Sequence, residues 1–401
     1  MPVASAADPT PSRGSLFYDP RVRGAFFQVL LVLVVGFLIY EAATNAIANL
    51  RAARIASGFG FLNNIAGFDV NQTLIPFSAA ASTYGDAFIV GLLNTLLVAS
   101  IGIVLATILG FIVGIARLAN NWLVRKVATV YVEVIRNLPL LLQLLFWYNA
   151  VLTALPQARN SVNLGGGFFL NVRGLTMPRP IIGANAGTVV IALAIGIVLT
   201  LVIRHWAKKR QAATGQQFPI GLTAFGLIIG LPGLVWAGFA ATGVNPIGFD
   251  VAQQGRFNLT GGTQLYPEFV ALLVGLTTYT AGFIAEVVRA GILAVSKGQT
   301  EAASALGLRP GRTLRLVVIP QAMRVIIPPL TSQYLNLTKN SSLAVAIGYP
   351  DLVQIFAGTV LNQTGQAIEV IFITMLVYLT ISLITSGLMN IYNSRVALVE
   401  R

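Results

Sequence analysis

The sequence predicts an all-α, polytopic membrane protein with about eight transmembrane helices. Of its 401 residues, 56% are hydrophobic and only 10% are charged, and the mean hydropathy is +0.78. Soluble domains carry about 25% charged residues, and a core of ordinary size cannot hide this much apolar surface from water. The composition therefore excludes a soluble enzyme, a disordered protein and, because cysteine is absent, a disulfide scaffold.

Eight apolar segments are long enough to cross a membrane, because a helix needs about 20 apolar residues to span about 30 Å of hydrocarbon. The seventh segment is the weakest, since Asn336, Lys339 and Asn340 interrupt its second half. The predicted spans are 25–43, 88–118, 126–152, 181–203, 219–242, 267–295, 321–347 and 367–392.

The basic residues indicate an orientation in the membrane. The formal net charge is +13, and most of the 26 Lys and Arg residues fall on inner segments if both termini are cytoplasmic. A cluster after the fourth span is typical of an anchor that also contacts anionic membrane lipid: Arg204, Lys208, Lys209 and Arg210. We therefore expect a cytoplasmic leader at 1–24, a cytoplasmic tail at 393–401 and no nucleic-acid partner.

Several segments permit more than one interpretation. The outer segments 45–86 and 156–180 are long enough to dock an extracytoplasmic partner, although they can equally be plain connectors. Two small-xxx-small patterns, Gly110 with Gly114 and Gly226 with Gly230, predict close contacts between helices.

The inner segment 296–320 predicts a short helix parallel to the membrane. Ser296 and Gln299 fit a capping box, Thr300 is a second candidate N-cap, Glu301 would then lie in the first turn, and Gly307 is placed to end the helix with a positive φ. Pro310 can open a second short helix, which Pro320 should end before the seventh span.

Small residues line this predicted helix. Ala302 and Ala303 would let its backbone approach a groove on a partner closely, and Leu306 supplies one apolar knob. A simple amphipathic helix at the lipid interface is the alternative. That alternative does not explain alanine at positions where Lys and bulky apolar residues would bind lipid better.

The segment resembles the EAA loop of ABC importer permeases. Glu301-Ala302-Ala303, Gly307 and the Val317-x-Ile319-Pro320 ending match that pattern and its spacing over about 20 residues. Three further stretches, at 91–96, 131–139 and 334–343, resemble the polar amino-acid permeases of the histidine, glutamine, arginine and opine types. With a leading helix and an inserted helix pair at about 181–242, the chain is most similar to the larger permease of general L-amino-acid importers of Gram-negative bacteria.

This resemblance implies a type I permease core of five helices within 86–392. It also implies a second permease, which we expect to be a paralogue, a dimeric cytoplasmic ATPase and a periplasmic amino-acid-binding protein. ATP and Mg would be used by the ATPase, and no cofactor or metal would be bound by this chain. The ATPase-coupling residues would be Glu301, Ala302, Ala303, Leu306, Gly307 and Arg309.

Charged residues inside the spans need a partner, because a charge at mid-bilayer costs about 2.5–3.5 kcal/mol. Glu133 with Arg136, and Glu286 with Arg289, are each three residues apart and can pair on one helix face. Each pair is either a structural ion pair near the interface or an inner gate that changes partners.

A polar run follows Pro328-Pro329 in the seventh span. It can line a pathway for a zwitterionic solute, with Lys339 facing a carboxylate, or it can form hydrogen bonds to the partner permease. Its members are Asn336, Lys339, Asn340, Ser341 and Ser342, and Thr278 of the sixth span could join them. Kinks are expected at Pro139 and at Pro328-Pro329.

A permease subunit of an ATP-driven importer of L-amino acids is the function these features favour. The chain has no Gly-x-x-x-x-Gly-Lys-Ser/Thr motif, so we expect no nucleotide site of its own. An ion-coupled secondary transporter of small polar solutes is the main alternative, but it should show inverted repeats. A membrane enzyme is a second alternative, and a single His and no Asp within the spans leave it few catalytic groups.

Overall fold

A computed structural model describes residues 20–52, 58–183, 185–255 and 258–396. Helices dominate these residues, and we number them in chain order. They are α1 Pro20–Ala52, α2 Tyr84–Ala116, α3 Trp122–Asn137, α4 Leu140–Leu152, α5 Ala186–Thr214, α6 Ile220–Ala241, α7 Pro267–Leu293, α8 Lys297–Ala305, α9 Pro310–Ile347, α10 at 353–364 and α11 Ala367–Val396.

The number of membrane-spanning helices agrees with the sequence. Within the described ranges seven helices are long and apolar enough to cross a membrane, and the bent pair α3 and α4 makes eight if it counts as one span. Helix α1 already includes residues 20–24, which the sequence places in the leader, whereas residues 1–19 and 397–401 lie outside the described ranges. The prediction of about eight spans is confirmed.

Helices α2 and α7 form the centre of the core and run parallel to each other. A Cβ at Gly110 would lie 2.6 Å from Cβ of Ile284, and one at Gly114 would lie 2.7 Å from the carbonyl oxygen of Ala285. Glycine therefore permits the close approach that its pattern predicts. The other predicted pair, Gly226 and Gly230, has open space around it, so these two glycines make no close helix contact within the described residues.

The motif at 91–96 holds the turn between α9 and α10 against α2. The Asn94 side-chain amide donates hydrogen bonds to the carbonyls of Gln72 and Pro350, both at 2.9 Å, and the Leu352 amide donates to the Thr95 hydroxyl at 3.0 Å. A Cβ at Gly91 would lie 2.9 Å from Cα of Leu352. The Asn94 side-chain NH2 group and the Thr95 hydroxyl thus fix the chain where it reverses direction inside the core.

The third predicted span is broken rather than merely kinked. Helices α3 and α4 meet at 107°, because Leu138 adopts the extended conformation that a following proline favours and Pro139 has no amide to donate. The Gln143 side chain donates to the carbonyls of Ile135 and Leu138 at 2.9 and 3.1 Å. The freed carbonyls are therefore satisfied locally, and the kink predicted at Pro139 is confirmed as a full break of the span.

Short strands, which the all-α prediction missed, occupy the loops on either side of the inserted helices. They are β1 Val162–Gly165, β2 Phe168–Asn171, β3 Gly174–Met177, β4 Arg179–Ile182, β5 Ile247–Asp250, β6 Gln253–Gln254, β7 Leu259–Thr260 and β8 Thr263–Leu265. Strands β1-β2-β3-β8 form an antiparallel sheet, and β4 pairs with β5. Strands of two to four residues give no hydropathy alternation long enough to detect.

The inserted helices α5 and α6 pack on each other. A Cβ at Gly196 would meet the carbonyl oxygen of Leu227, so the two backbones touch. No residue of α6 is buried, and strands β4 and β5 join the pair to the rest of the chain. The pair therefore presents apolar side chains such as Leu222 and Leu234 outward, as lipid contact requires.

Helix α9 is longer than predicted. Pro320 is expected to end a short helix before the span, but α9 runs through Pro320 and through Pro328-Pro329 over 38 residues. A π-helical turn at Leu314–Val318 precedes Pro320, and such a turn accommodates the missing amide. The prediction of a separate short helix is wrong, and the segment after α8 is continuous with the span.

Candidate functional site

Helix α8 is a short helix with a well-formed C-terminus. Gly307 has φ +75°, its amide donates to the carbonyl of Ser304 at 2.9 Å, and the Leu308 amide donates to the carbonyl of Ala303 at 3.1 Å. This pair of bonds is the Schellman motif, which needs a left-handed residue after the helix. The predicted role of Gly307 in ending the helix is confirmed.

The N-terminus of α8 differs from the prediction. Ser296 is the N-cap residue but its side chain accepts no capping bond, so the expected capping box with Gln299 is absent. Glu301 lies beyond the first turn, and the Thr300 hydroxyl donates within the helix to Lys297. Gln299 instead accepts a hydrogen bond from Gln321 of α9 at 3.2 Å, which ties α8 to the neighbouring span.

The outer surface of α8 is open to a partner. Leu306 is 83% exposed, Glu301, Ala302, Gly307 and Arg309 are exposed, and Ala303 alone of the predicted coupling residues is buried. A Cβ at Gly307 would meet no atom within 4 Å. The small side chains leave a smooth surface around one apolar knob, at the opposite end of α7 from strand β8.

Three arginine side chains surround one carboxylate at the α8 end of α7. Glu286 pairs with Arg117 of α2, with Arg289 at 2.6 Å and with Arg136 at 3.7 Å. The predicted pair of Glu286 with Arg289 is confirmed. The predicted pair of Glu133 with Arg136 is wrong, because Arg136 lies over the Phe283 ring at 5.2 Å and faces Glu286, whereas Glu133 is exposed.

The predicted pathway residues do not form one cluster. Lys339 and Ser342 line a cavity of about 410 Å³ between α9 and α11. Ser341 is buried and donates to the carbonyl of Thr338 at 2.7 Å, and the Thr278 hydroxyl donates within α7 to Val274 at 2.8 Å. Asn336 is exposed on α9 and Asn340 is half-buried. The cavity therefore holds two of the six predicted residues.

Sequence reasoning missed the residues that α11 brings to this cavity. Thr374, Tyr378 and Ser382 line it opposite Lys339, and the Tyr378 hydroxyl donates to the carboxylate of the buried Asp351 at 3.3 Å. Their regular spacing of four residues was a signal that could have identified one polar face of α11. Arg117 was also missed, because its partner is 169 positions away in the sequence.

Comparisons with known proteins identify the family. Residues 102–398 match the family model described as "Binding-protein-dependent transport system inner membrane component". The chain is 55% identical to the general L-amino acid transport system permease protein AapQ of Rhizobium johnstonii, over 99% of both chains. It is 52% identical to the putative amino-acid ABC transporter permease protein YhdX of Escherichia coli, over 97% of this chain and 98% of that protein.

A third relative extends the same match. The glutamate/glutamine/aspartate/asparagine transport system permease protein BztB of Rhodobacter capsulatus is 44% identical over the full length of both chains. The family match covers the core helices α7, α9 and α11, together with α8. The resemblance of segment 296–320 to ABC importer permeases is confirmed. The chain belongs to the family of inner membrane components of binding-protein-dependent transport systems, as a permease subunit.

Proposed function

We propose that this chain is one of two permease subunits of an ATP-driven importer of L-amino acids. Three relatives that match over nearly their full length bear names of amino-acid transport permeases. The observation that carries the proposal is α8, an exposed short helix whose end is shaped by Gly307 and whose apolar knob is Leu306. A dimeric cytoplasmic ATPase would bind α8 in a groove on its surface. The ATPase, and not this chain, would use ATP and Mg.

In this proposal α8 transmits movement to the membrane. The Schellman motif and the Gln299–Gln321 hydrogen bond make α8 move with α9 as a rigid body. Since α9 is continuous from Pro310 to Ile347, closure of the ATPase dimer displaces the span that carries Lys339. The second permease, a paralogue, would complete the pathway.

The opposite end of the subunit would face the periplasm. We infer that both termini are cytoplasmic, because the basic residues concentrate on the segments at the α8 end. The strands β1 to β8 would then lie outside the inner membrane, on the side where a periplasmic amino-acid-binding protein delivers its ligand. This placement favours the docking interpretation of the segment 156–180.

Gly307→Asp tests the proposal in the reconstituted complex of permeases, ATPase and binding protein. The position is exposed and Asp tolerates the left-handed conformation, so the variant should fold and insert. A charged side chain at the docking surface should abolish ATP-driven uptake of radiolabelled L-amino acids. The matched control is Gly215→Asp, an exposed glycine with φ +70° and open space around it at the end of α5. Normal uptake by Gly307→Asp would contradict the coupling role.

A further inference from the structure

A groove runs between α9 and α11 and contains two cavities of about 410 and about 430 Å³. Lys339 and Ser382 line the first cavity, and Ser332, Ser386 and Asn390 line the second. The two cavities follow each other along one seam, because the helices run in opposite directions. From residue 328 to residue 342, α9 rises about 21 Å at 1.5 Å per residue. The seam therefore extends over most of the hydrocarbon thickness of about 30 Å.

Helix α11 has a polar face on this groove. Thr374, Tyr378, Ser382, Ser386 and Asn390 recur at every fourth residue, which places them on a stripe that winds around the helix by about 40° per step. All five line one or other of the two cavities. The groove thus has a wall of hydroxyl and amide groups that α9 alone does not provide.

The far side of α11 is apolar. Ile384 lies two residues from both Ser382 and Ser386 and is therefore on the opposite face, where it is 57% exposed. Leu388, two residues from Ser386 and Asn390, is 64% exposed. A helix with one polar and one apolar face separates two environments, and the apolar face of α11 suits lipid.

The polar groups of the groove lack partners in the part of the chain that the structure describes. Neither the Lys339 ammonium nor the side chains of Ser382, Ser386 and Asn390 form a hydrogen bond or ion pair with other described residues. A charge facing hydrocarbon costs about 2.5–3.5 kcal/mol, so such groups in a span face water, a polar solute or another protein. Val353, Met375 and Leu379 also line the first cavity, so it is Lys339 and the polar side chains of α11 that suit a polar solute better than a lipid tail.

The charge of the groove favours one class of solute. Lys339 is the sole charged side chain among the described residues that line the two cavities. An ammonium with no opposite charge among the residues that line the groove attracts a carboxylate. Hydroxyl and amide groups along α11 can then replace the hydration of a small polar molecule.

We propose that the groove between α9 and α11 is this subunit's half of a water-filled solute path, in which Lys339 attracts the solute carboxylate and Ser382, Ser386 and Asn390 of α11 form the second wall. This inference rests on the proposed transport function and assigns the path to specific helices. It adds α11 to a pathway that the sequence had placed on α9 and Thr278.

Single cysteines test whether the groove contains water, since the natural chain has none. The variants are Ser382→Cys, Ser386→Cys and Asn390→Cys, with Ile384→Cys and Leu388→Cys as controls on the apolar face. Each is assembled with its partners in proteoliposomes and treated with a small cationic methanethiosulfonate, which reacts with the thiolate in water. The groove cysteines should react at least about tenfold faster than the controls, because a thiol in lipid remains protonated.

Reagent charge tests the role of Lys339. At Ser382→Cys, an anionic methanethiosulfonate should be favoured over the cationic one by about fivefold relative to Asn390→Cys, which lines the other cavity. Adding Lys339→Gln should remove that preference without removing reactivity. Retention of the preference in the double variant would overturn the assignment of the carboxylate-attracting role to Lys339.

The outcomes separate this inference from the proposed function. Groove cysteines as unreactive as Ile384→Cys would overturn the inference, because the groove would then be sealed by lipid or by the partner permease. ATP-driven uptake by the cysteine-free parent is measured in the same preparation. If that parent fails to take up L-amino acids while the groove cysteines react, the proposed function fails and the water-filled groove stands.

Discussion

Arg117 at the end of α2 and Glu286 near the end of α7 form an ion pair that joins the two central helices of the core. Arg289 and Arg136 approach the same carboxylate at 2.6 and 3.7 Å. One negative charge therefore holds three positive ones at the α8 end of the bundle, so the cluster keeps an excess of positive charge.

Glu286→Gln should destabilise the subunit more than removal of any single arginine. Without the carboxylate three guanidinium groups repel one another, and a hydrogen bond to a charged group contributes about 1.5–3 kcal/mol. Arg136→Gln should change stability by less than about 1 kcal/mol, since its side chain is 39% exposed and 3.7 Å from Glu286. Thermal unfolding of the purified complex in detergent measures the stability of each variant. Equal losses of stability in the Glu286 and arginine variants would show that Glu286 does not organise the cluster.

Alanine at two glycines should have opposite effects on stability. Gly114→Ala should destabilise by about 1–3 kcal/mol, because its Cβ would lie 2.7 Å from the carbonyl oxygen of Ala285 in the tight α2–α7 contact. Gly230→Ala has open space around its Cβ and should be neutral or stabilising by about 0.5–1 kcal/mol. The apparent melting temperatures of the two variants test this difference. Similar shifts in both variants would contradict the tight α2–α7 contact at Gly114.

The inserted helices should be removable without loss of the core. The Gly183 amide donates to the carbonyl of Pro246 at 2.9 Å, and Ile182 pairs with Ile247. Replacing residues 184–245 by Asn-Gly should therefore close β4 and β5 with a two-residue hairpin turn. We expect the shortened chain to fold and to retain ATPase binding in co-purification beside the full-length chain. Loss of the complex would identify the helix pair as an assembly element.

The sequence predicts those parts of the fold that depend on local pattern. Hydropathy locates the spans, Gly307 marks the end of α8, and the three-residue spacing of Glu286 and Arg289 places them on one helix face. Each of these inferences uses neighbours within one helix, where backbone geometry fixes the relation of side chains.

Features that depend on tertiary contact cannot be predicted from neighbours within one helix. The partner of Glu286 on α2 and the turn of Arg136 toward α7 depend on how the helices pack. Pro139 signals a kink, but local pattern predicts neither the bend of 107° nor the hydrogen bonds by which Gln143 satisfies the freed carbonyls. Pro320 fails to end its helix because a π-helical turn precedes it.

The most direct test of the account is the labelling of Leu306→Cys by a membrane-impermeant thiol reagent, in right-side-out and inside-out vesicles, with and without the ATPase. Leu306 is 83% exposed on α8, and the natural chain has no other cysteine to react. We predict labelling in inside-out vesicles alone, and protection from labelling when the ATPase is bound. Labelling from outside the cell, or equal labelling with and without the ATPase, would contradict a cytoplasmic coupling helix.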